Sequence, residues 1–282
     1  MLVGLIGHPV AHSKSPQMQN AAFAHAGLHS WRYETWDTPA EQVPTRMRLL
    51  AESNDIAGCN VTIPHKQAVM PYLNAVNEHA RAIGAVNTIF KRGYYLLGHN
   101  TDWTGFLADL KFHDVTVNDA THALVLGAGG SARAIVYALV SQGASVLICN
   151  RTPDRARELL DGISNSPYLH EIEERCSVVL TPADPACADV NLVVNCTSAG
   201  MWPNDDDSPW PADLPYPARA TLYDLIYKPR TTRLMQHAEA VGARVIGGIG
   251  MLAEQGAAAF ELWTGVPAAN VSGIMRATLN DV

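Results

Sequence analysis

The sequence lacks the features that attract nucleic acids or membranes. It has 20 Lys and Arg against 27 Asp and Glu, a net charge of −7, and its basic residues are scattered. Without a basic patch a protein has little electrostatic attraction to polyanions. No apolar run approaches the roughly 18 residues of a membrane-spanning helix, and Met1 leads into a strand-like segment without a basic leader. We expect a cytoplasmic protein that binds neither nucleic acid nor membrane.

Cysteine spacings typical of metal or redox sites are also missing. The five cysteines are odd in number and widely spaced, and none belongs to a C-x-x-C pair. Most lie in or beside apolar runs, which favours buried free thiols over zinc ligands or disulfides. We therefore predict no metal site. The cysteines are Cys59, Cys149, Cys176, Cys187 and Cys196.

Repeats, low-complexity tracts and heptads are absent, and what remains is an alternation of short apolar runs with helical segments. This alternation is typical of βαβ units, in which helices cover both faces of a mostly parallel sheet. A chain of 282 residues exceeds the usual size of one domain. We predict an α/β fold of two domains.

The first hundred residues carry five predicted strands and three predicted helices. Helices should begin near Ser15, Glu41 and Ala75, with Ser15 and Pro16 in the N-cap and N1 positions. The predicted strands span residues 2–6, 31–36, 58–61, 86–90 and 94–97.

The remaining chain predicts a six-strand, doubly wound sheet followed by helices. Residues 164–176 and 203–217 are predicted to be surface connections with low local order. From Met251 onward the chain should be helical and pack away from this sheet. The predicted strands span residues 123–126, 145–149, 178–181, 192–195, 222–225 and 244–246, and the predicted helices 132–142, 153–160 and 232–241.

A dinucleotide fingerprint lies between the first strand and helix of this second region. Gly127-x-Gly129-x-x-Ala132 matches the G-x-G-x-x-G/A pattern, in which glycines let backbone N–H groups and the helix dipole hold a pyrophosphate. An ordinary glycine-rich turn is the alternative. About 20 residues on, where an NAD enzyme carries an acidic residue, the strand ends in Asn150-Arg151-Thr152. A guanidinium suits a 2′-phosphate, so NADP is favoured.

Two further features are weaker signals of a cofactor site. Arg155, one helical turn beyond Arg151, is either a second phosphate ligand or a solvated helix residue. The segment from Asn195 to Met201 follows another strand, and its hydroxyls suit a ribose or nicotinamide neighbour; a plain turn is the alternative.

Polar residues crowd the strand ends of the first region, and together they suit a polyhydroxylated carboxylate ligand, because each buried ligand hydroxyl needs a partner. Taken singly, each is explained as well by a helix cap or a turn. They are Ser13, Ser15, Asn60, Thr62, Lys66, Asn87, Thr88, Asn100, Thr101 and Asp102.

Nine motifs follow one another in order over nearly the whole chain. They are Gly7-x-Pro9-x-x-His12-Ser13-x-Ser15-Pro16, Gly58-x-Asn60-Val61-Thr62-x-Pro64-x-Lys66, Gly84-Ala85-Val86-Asn87-Thr88, Gly98-x-Asn100-Thr101-Asp102-x-x-Gly105, Gly127-Ala128-Gly129-Gly130, Asn150-Arg151-Thr152, Asn195-x-Thr197-Ser198-x-Gly200-Met201, Tyr223-Asp224-x-x-Tyr227 and Gly250-Met251-x-x-x-Gln255-Gly256. Taken together, these motifs resemble the shikimate dehydrogenase family.

The resemblance implies reversible reduction of 3-dehydroshikimate to shikimate with NADPH, a step of chorismate and aromatic amino acid biosynthesis. It implies that Lys66 and Asp102 form the catalytic pair, and that Tyr227 and the two serines hold the substrate carboxylate. The implied substrate ligands are Ser13, Ser15, Asn60, Thr62, Lys66, Asn87, Asp102, Tyr227 and Gln255. The expected cofactor contacts are Gly127, Ala128, Gly129, Gly130, Ser131, Ala132, Asn150, Arg151, Thr152, Arg155, Thr197, Ser198, Met201, Ile226, Gly248 and Met251.

A domain division follows from these roles. We expect a substrate-binding part over residues 1–103, a Rossmann-type NADP domain over 104–250, and C-terminal helices over 251–282 that return to the substrate domain. Lys66 is the candidate general acid, acting either as proton donor or by binding and polarisation. A homodimer is possible.

Three alternatives remain open. A quinate or dual-specificity dehydrogenase is the nearest, although Ser15, rather than a threonine, favours shikimate. Methylenetetrahydrofolate dehydrogenase and glutamyl-tRNA reductase share a similar cofactor domain but should lack the serine and Asn100-Thr101-Asp102 pairings. A non-catalytic NADP-sensing homologue would not need to retain both Lys66 and Asp102.

Overall fold

The computed structural model describes residues 1–164 and 172–280, and its chain forms two compact units. The first unit comprises Met1–Ala108 together with the segment from Gly250 onward, and the second is Asp109–Ile249. Each unit has its own sheet.

The sheet of the first unit is mixed, with strand order β2-β1-β3-β5-β6-β4. β1 pairs in parallel with β2 and β3, and β4 with β6, whereas β5 runs antiparallel to β3 and β6. The strands are β1 (Leu2–Gly7), β2 (Arg32–Asp37), β3 (Ile56–Val61), β4 (Ala75–Val76), β5 (Thr88–Arg92) and β6 (Tyr95–His99).

Four helices follow these strands, and the second packs its apolar side chains on one face of the sheet. Met47 and Leu50 belong to the same buried cluster as Ile6, Cys59 and Ile89. The helices are α1 (Ser15–His25), α2 (Val43–Glu52), α3 (Glu78–Ile83) and α4 (Asp102–Phe112).

One predicted helix start in this unit is wrong, and at another the start is confirmed but the predicted N-cap residue is wrong. Ala75 lies in strand β4, and α3 begins only at Glu78, because the Asn77 side chain accepts a hydrogen bond from the backbone N–H of Ala80 and caps the helix there. Ser15 is the first helical residue rather than the N-cap, since Lys14 already has helical backbone angles.

The second sheet confirms the predicted six-strand, doubly wound pattern. Its order is β12-β11-β10-β7-β8-β9, and all of these pairings are parallel. The strands are β7 (His122–Leu126), β8 (Ser145–Cys149), β9 (Cys176–Val179), β10 (Leu192–Asn195), β11 (Thr221–Asp224) and β12 (Val245–Gly247). The helices are α5 (Gly130–Ser141), α6 (Pro153–Ser164), α7 (Ile172–Arg175) and α8 (Arg233–Ala240).

The two predicted surface connections have different outcomes. In the first, residues 165–171 lie outside the described residues, but the expectation is wrong beyond them. Ile172–Arg175 is helical, and Cys176 already pairs with Val146 in the sheet. In the second, residues 203–217 contain no helix or strand and are mostly exposed, yet Trp210 and Tyr216 are buried with ring centroids 5.1 Å apart.

The chain then returns to the first unit as two helices, α9 (Ile249–Thr264) and α10 (Ser272–Asn280), as the predicted fold requires. The Trp263 indole donates to the carbonyl of Ile89 at 3.0 Å, and a Cβ on Gly58 would lie 2.6 Å from that indole nitrogen. Glycine at position 58 therefore lets α9 pack directly on the sheet.

Among the described residues, no helix combines the length and apolar character needed to cross a bilayer.

All five cysteines are free thiols. Burial raises the pKa of Cys176 to about 12 and of Cys187 to about 11, with the carboxylate of Asp184 and the thiol of Cys149 contributing at Cys187. Burial thus disfavours the reactive thiolate form of Cys176 and Cys187.

Candidate active site

A buried ion pair joins the two residues predicted to be catalytic. The Lys66 ammonium donates to Oδ2 of Asp102 at 2.7 Å, and both side chains are at least nine-tenths buried. An ion pair that is removed from water costs desolvation energy and persists where further hydrogen bonds hold it. The surroundings of this pair supply such bonds.

Local backbone geometry positions both members of the pair. Lys66 follows β3, and its carbonyl accepts from the N–H of Val86 at 2.7 Å. Asp102 begins α4, where its N–H donates to the side chain of Asn100 at 3.0 Å. The Asn100 amide in turn donates to the carbonyl of Ala85 at 2.9 Å. The two charged groups are thus fixed to the same short segment, residues 85–86.

Asn87 lies at the centre of the surrounding polar network. Its Nδ2 donates to Oδ1 of Asp102 at 2.8 Å and to Oγ1 of Thr101 at 3.0 Å, and Oε1 of Gln255 lies 3.3 Å from the same nitrogen. Its Oδ1 accepts from the Thr101 N–H at 2.7 Å and from the hydroxyl of Thr88 at 3.0 Å. Asn87 therefore orients the carboxylate that holds Lys66.

Gln255 reaches this network from α9 because α4 and α9 approach closely. A Cβ on Gly105 would lie 2.6 Å from the backbone nitrogen of Gln255, so only glycine fits there. The Gln255 amide also donates to the carbonyl of Leu252 at 2.9 Å.

The other predicted substrate ligands of this unit lie at its strand and helix ends. Asn60 is buried at the end of β3, whereas Thr62, just beyond it, is half-buried. Ser13 and Ser15 meet at the start of α1, where the Ser13 hydroxyl oxygen accepts from the Ser15 N–H at 3.1 Å.

Sequence reasoning missed one member of the network and left two without a role. Thr88 and Thr101 stood among the crowded polar residues, and the structure bonds both to Asn87. Tyr33 was not singled out, yet its hydroxyl donates to Oδ1 of Asn60 at 2.8 Å. Its one signal in the sequence is an aromatic residue flanked by two charged residues, Arg32 and Glu34, at the start of a strand.

In the second unit, the glycine-rich turn has the geometry that a pyrophosphate site requires. Gly127 has φ +109°, and a Cβ there would lie 3.2 Å from Thr197 and Cys196. Gly129 is the N-cap of α5 and has no side chain to cap it, and among the described residues a Cβ there would meet no atom within 4 Å apart from its chain neighbours. The helix start therefore presents backbone donors beside open space, which suits an anion.

The predicted 2′-phosphate ligands follow β8 and face solvent. Arg151, Thr152 and Arg155 are exposed, and neither arginine forms an ion pair with any residue of the described ranges. The Asn150 amide donates to the carbonyl of Thr152 at 2.8 Å, which shapes the turn. Both guanidinium groups thus remain available to a ligand.

A second polar network lies at the carboxyl ends of β10 and β11, and its centre, Asp224, was quoted in a motif without a role. The fully buried Asp224 accepts from the Asn195 amide at 2.9 Å, the Thr232 hydroxyl at 2.8 Å and the Ile226 N–H at 3.1 Å. Burial raises the pKa of Asp224, although these hydrogen bonds oppose the shift. Oδ1 of Asn195 accepts from the N–H and hydroxyl of Thr197, which fixes the predicted ribose-binding turn.

The remaining predicted residues are dispersed. Ser198 and Met201 are exposed, and Tyr227 is half-buried. Met251 is buried in the first turn of α9. Gly248 is buried, and a Cβ there would lie 2.2 Å from the carbonyl of Leu225. Within the described part of the chain, no three His, Cys, Asp or Glu side chains are arranged to hold a metal ion.

Family models match three segments of the chain. Residues 5–89 match the shikimate dehydrogenase substrate binding domain, residues 107–199 match shikimate/quinate 5-dehydrogenase, and residues 248–279 match the shikimate 5′-dehydrogenase C-terminal domain. The first match contains Ser13, Ser15 and Lys66, and the second contains the glycine-rich turn.

Individual relatives match almost the full chain. A shikimate dehydrogenase (NADP(+)) of Moorella thermoacetica is 42% identical over 98% of this chain and 92% of its own length. One of Symbiobacterium thermophilum is 42% identical over 94% of this chain and 89% of its own. The crystal structure of shikimate 5-dehydrogenase from Thermus thermophilus with NADP(H) and shikimate is 37% identical, covers 99% of both chains and superposes with a TM-score of 0.84.

Proposed function

This chain belongs to the shikimate dehydrogenase family, and we propose that it reversibly reduces 3-dehydroshikimate to shikimate with NADPH. The family predicted from the motifs is thereby confirmed. The observation that carries the proposed activity is the buried Lys66–Asp102 pair within a network of amides and hydroxyls. Such a site offers an ammonium group that can donate a proton, and several hydrogen-bond donors and acceptors for a small polyhydroxylated ligand.

Lys66 is the group that serves the reacting oxygen. Reduction of a ring ketone develops negative charge on its oxygen, and an ammonium beside that oxygen stabilises the charge and can donate a proton. Asp102, bonded to Lys66 at 2.7 Å and to Asn87 at 2.8 Å, directs the ammonium and holds its charge in place.

The other polar residues position the ring. Ser13 and Ser15, which meet at the start of α1, would hold the carboxylate, joined by Tyr227. The proposed partners of the ring hydroxyls, directly or through the network, are Asn60, Thr62, Asn87 and Gln255. These assignments extend the family resemblance residue by residue.

The residues of the second unit fit NADP. The donors at the start of α5 would hold the pyrophosphate, and Arg151 with Arg155 would hold the 2′-phosphate, because a guanidinium binds a phosphate dianion through two parallel hydrogen bonds. Thr197 and Met201 would line the nicotinamide ribose. When bound, NADPH supplies the hydride that reduces the ketone carbon.

The experiment is a spectrophotometric assay of purified protein with shikimate or quinate and with NADP or NAD, beside a Lys66→Ala variant. We expect turnover with shikimate and NADP, reduced about a hundredfold or more in the variant. Stronger turnover with quinate than with shikimate would establish the quinate dehydrogenase alternative, and comparable turnover with both acids the dual-specificity one. Binding of NADP without turnover of either acid would establish a cofactor sensor instead.

Two expectations about the protein in the cell stay predictions. We propose a cytoplasmic enzyme, tested by fractionation, and a homodimer, tested by sedimentation at micromolar concentration. A monomer in sedimentation would overturn the second without affecting the proposed activity.

A further inference from the structure

Asn60, which stands among the expected substrate ligands, has its polar atoms committed within the protein. Its Nδ2 donates to Oγ1 of Thr88 at 3.0 Å and to the carbonyl of Asn87 at 3.2 Å, and an amide nitrogen has two hydrogens to give. Its Oδ1 accepts from the hydroxyl of Tyr33 at 2.8 Å. Asn60 is 5% exposed, so its orientation is set by these neighbours.

Tyr33 is itself held rigidly. Its backbone N–H donates to Oδ1 of Asn20 at 2.8 Å, and its carbonyl accepts from the Asn20 amide at 3.0 Å, so that α1 fixes both backbone groups of this residue. Its ring lies 6.1 Å from that of Trp263 on α9, and the residue is 2% exposed. The hydroxyl therefore has little freedom to seek another acceptor.

A continuous chain of hydrogen bonds leads from Tyr33 to the ion pair. The Tyr33 hydroxyl donates to Asn60, which donates to Thr88, which donates to Asn87, which donates to the Asp102 carboxylate that binds Lys66. Each bond uses the donor of one residue and the acceptor of the next. The orientation of the Tyr33 hydroxyl therefore influences the orientation of the Asp102 carboxylate.

We infer that Tyr33 is a positioning residue for the catalytic pair, acting through Asn60 and Asn87 without touching the substrate. This inference rests on the proposed function for its kinetic consequence. Without the Tyr33 hydroxyl, Oδ1 of Asn60 loses that donor. The Asn60 amide then regains a hydrogen bond by turning its Oδ1 toward the Thr88 hydroxyl. Thr88 would then donate to Asn60 rather than to Asn87, and Asn87 would no longer hold Asp102 in one orientation.

The test is Tyr33→Phe, which removes one oxygen and keeps the ring. We expect kcat for shikimate oxidation to fall about tenfold, with KM for NADP unchanged, because an altered orientation acts on the reacting pair. Tyr216→Phe is the matched control. Tyr216 is similarly buried, and its hydroxyl has no hydrogen-bond partner among the described residues, so this variant should keep wild-type kcat.

A double-mutant cycle separates positioning from simple packing. If Tyr33 acts through Asn60, Tyr33→Phe should have no further effect on kcat in an Asn60→Ala background. Equal fractional losses in both backgrounds, or full kcat in Tyr33→Phe, would overturn the inference. If Asn60→Ala does not fold, Thr88→Val interrupts the same chain one step later and replaces it.

A ligand-free measurement keeps this inference distinct from the proposed function. In ¹⁵N spectra the side-chain amide of Asn87, assigned from its loss in Asn87→Ala, should shift in Tyr33→Phe and stay in place in Tyr216→Phe. An unmoved Asn87 signal would overturn the relay whatever the enzyme's activity. Absence of shikimate turnover by the wild-type protein, with the shift present, would instead count against the proposed function alone.

Discussion

The two predicted ligand regions are built in opposite ways. In the first unit, Asn87, Asp102 and Gln255 are buried, and Asn87 contacts both of the others before any ligand arrives. In the second, Gly129 and Arg151 are exposed, and Arg151 has no ion-pair partner in the described part of the chain. The first arrangement fixes geometry in advance, and the second keeps donors available for the ligand.

This difference predicts which quantities mutations will change. Residues of a buried network support both stability and turnover, because their partners are left unsatisfied when one is removed. Residues of an open, solvated site should change cofactor binding and leave stability alone. Substitutions in the two regions test this difference.

The largest effect is expected for Asp102→Asn, which keeps the shape but removes the charge that pairs with Lys66. We expect kcat to fall about a hundredfold or more and unfolding to become easier by about 3 kcal/mol, because a buried ammonium loses its counter-ion. Activity assays and thermal unfolding measure both. Asp55→Asn, at an exposed position, is the control; an unaffected melting temperature in Asp102→Asn would contradict the buried-network account.

Arg151→Ala should act on cofactor binding alone. Loss of a charge-assisted phosphate contact should raise KM for NADP about 10- to 100-fold while leaving KM for NAD and the melting temperature unchanged. Arg157→Ala is the matched control, since Arg157 is an exposed arginine of the neighbouring helix that pairs with Asp154 at 2.6 Å. Equal losses with NADP and NAD would show that Arg151 does not read the 2′-phosphate.

A pair of glycine substitutions compares the two regions directly. Gly105→Ala should destabilise the protein by about 1–3 kcal/mol, because its Cβ would lie 2.6 Å from the Gln255 nitrogen. Among the described residues, the Cβ of Gly129→Ala meets no atom within 4 Å apart from its chain neighbours, so stability should change less than in Gly105→Ala. KM for NADP should nevertheless rise about tenfold, because the methyl group occupies the space of the pyrophosphate. Unchanged NADP kinetics in Gly129→Ala would remove this turn from the cofactor site.

The smallest effect is expected for Asp224, which is buried in the second unit, whereas Gly129 and Arg151 of the same unit are exposed. Because burial raises its pKa in the folded state, its contribution to stability is fully present below the unfolded pKa and declines as pH rises through the folded pKa. Wild type should therefore gain stability relative to Asp224→Asn as pH falls from about 7 to about 4, by about 1.4 kcal/mol for each unit of pKa elevation. Denaturant unfolding at several pH values measures this difference, and a pH-independent difference would argue against a raised pKa.

The second sheet could be predicted from the sequence because its strands are buried on both faces. Such strands are short apolar runs, as in Ala123–Leu126, and the glycine-rich turn after them marks the strand end. The candidate residues Lys66 and Asp102 were predicted from motifs, and their 2.7 Å contact joins elements 36 positions apart.

What could not be predicted depended on contacts distant in sequence. Ala75 and Val76 look helical in isolation, and only their pairing with β6 makes them a strand. The contact of Tyr33 with Asn60 depends on the strand order β2-β1-β3, in which Tyr33 on β2 and Asn60 on β3 lie on opposite sides of β1. Local patterns carry no information about that order.

The double hydrogen bond between Asn20 and Tyr33 has a consequence for association between molecules. β2 is an outermost strand, and the unpaired N–H and carbonyl groups of such a strand can recruit a strand from another chain into a growing aggregate. The Asn20 side chain occupies the N–H and carbonyl of Tyr33 within β2, where an incoming strand would have to bond. The Asn20 side chain thus opposes intermolecular β-pairing at this edge of the sheet.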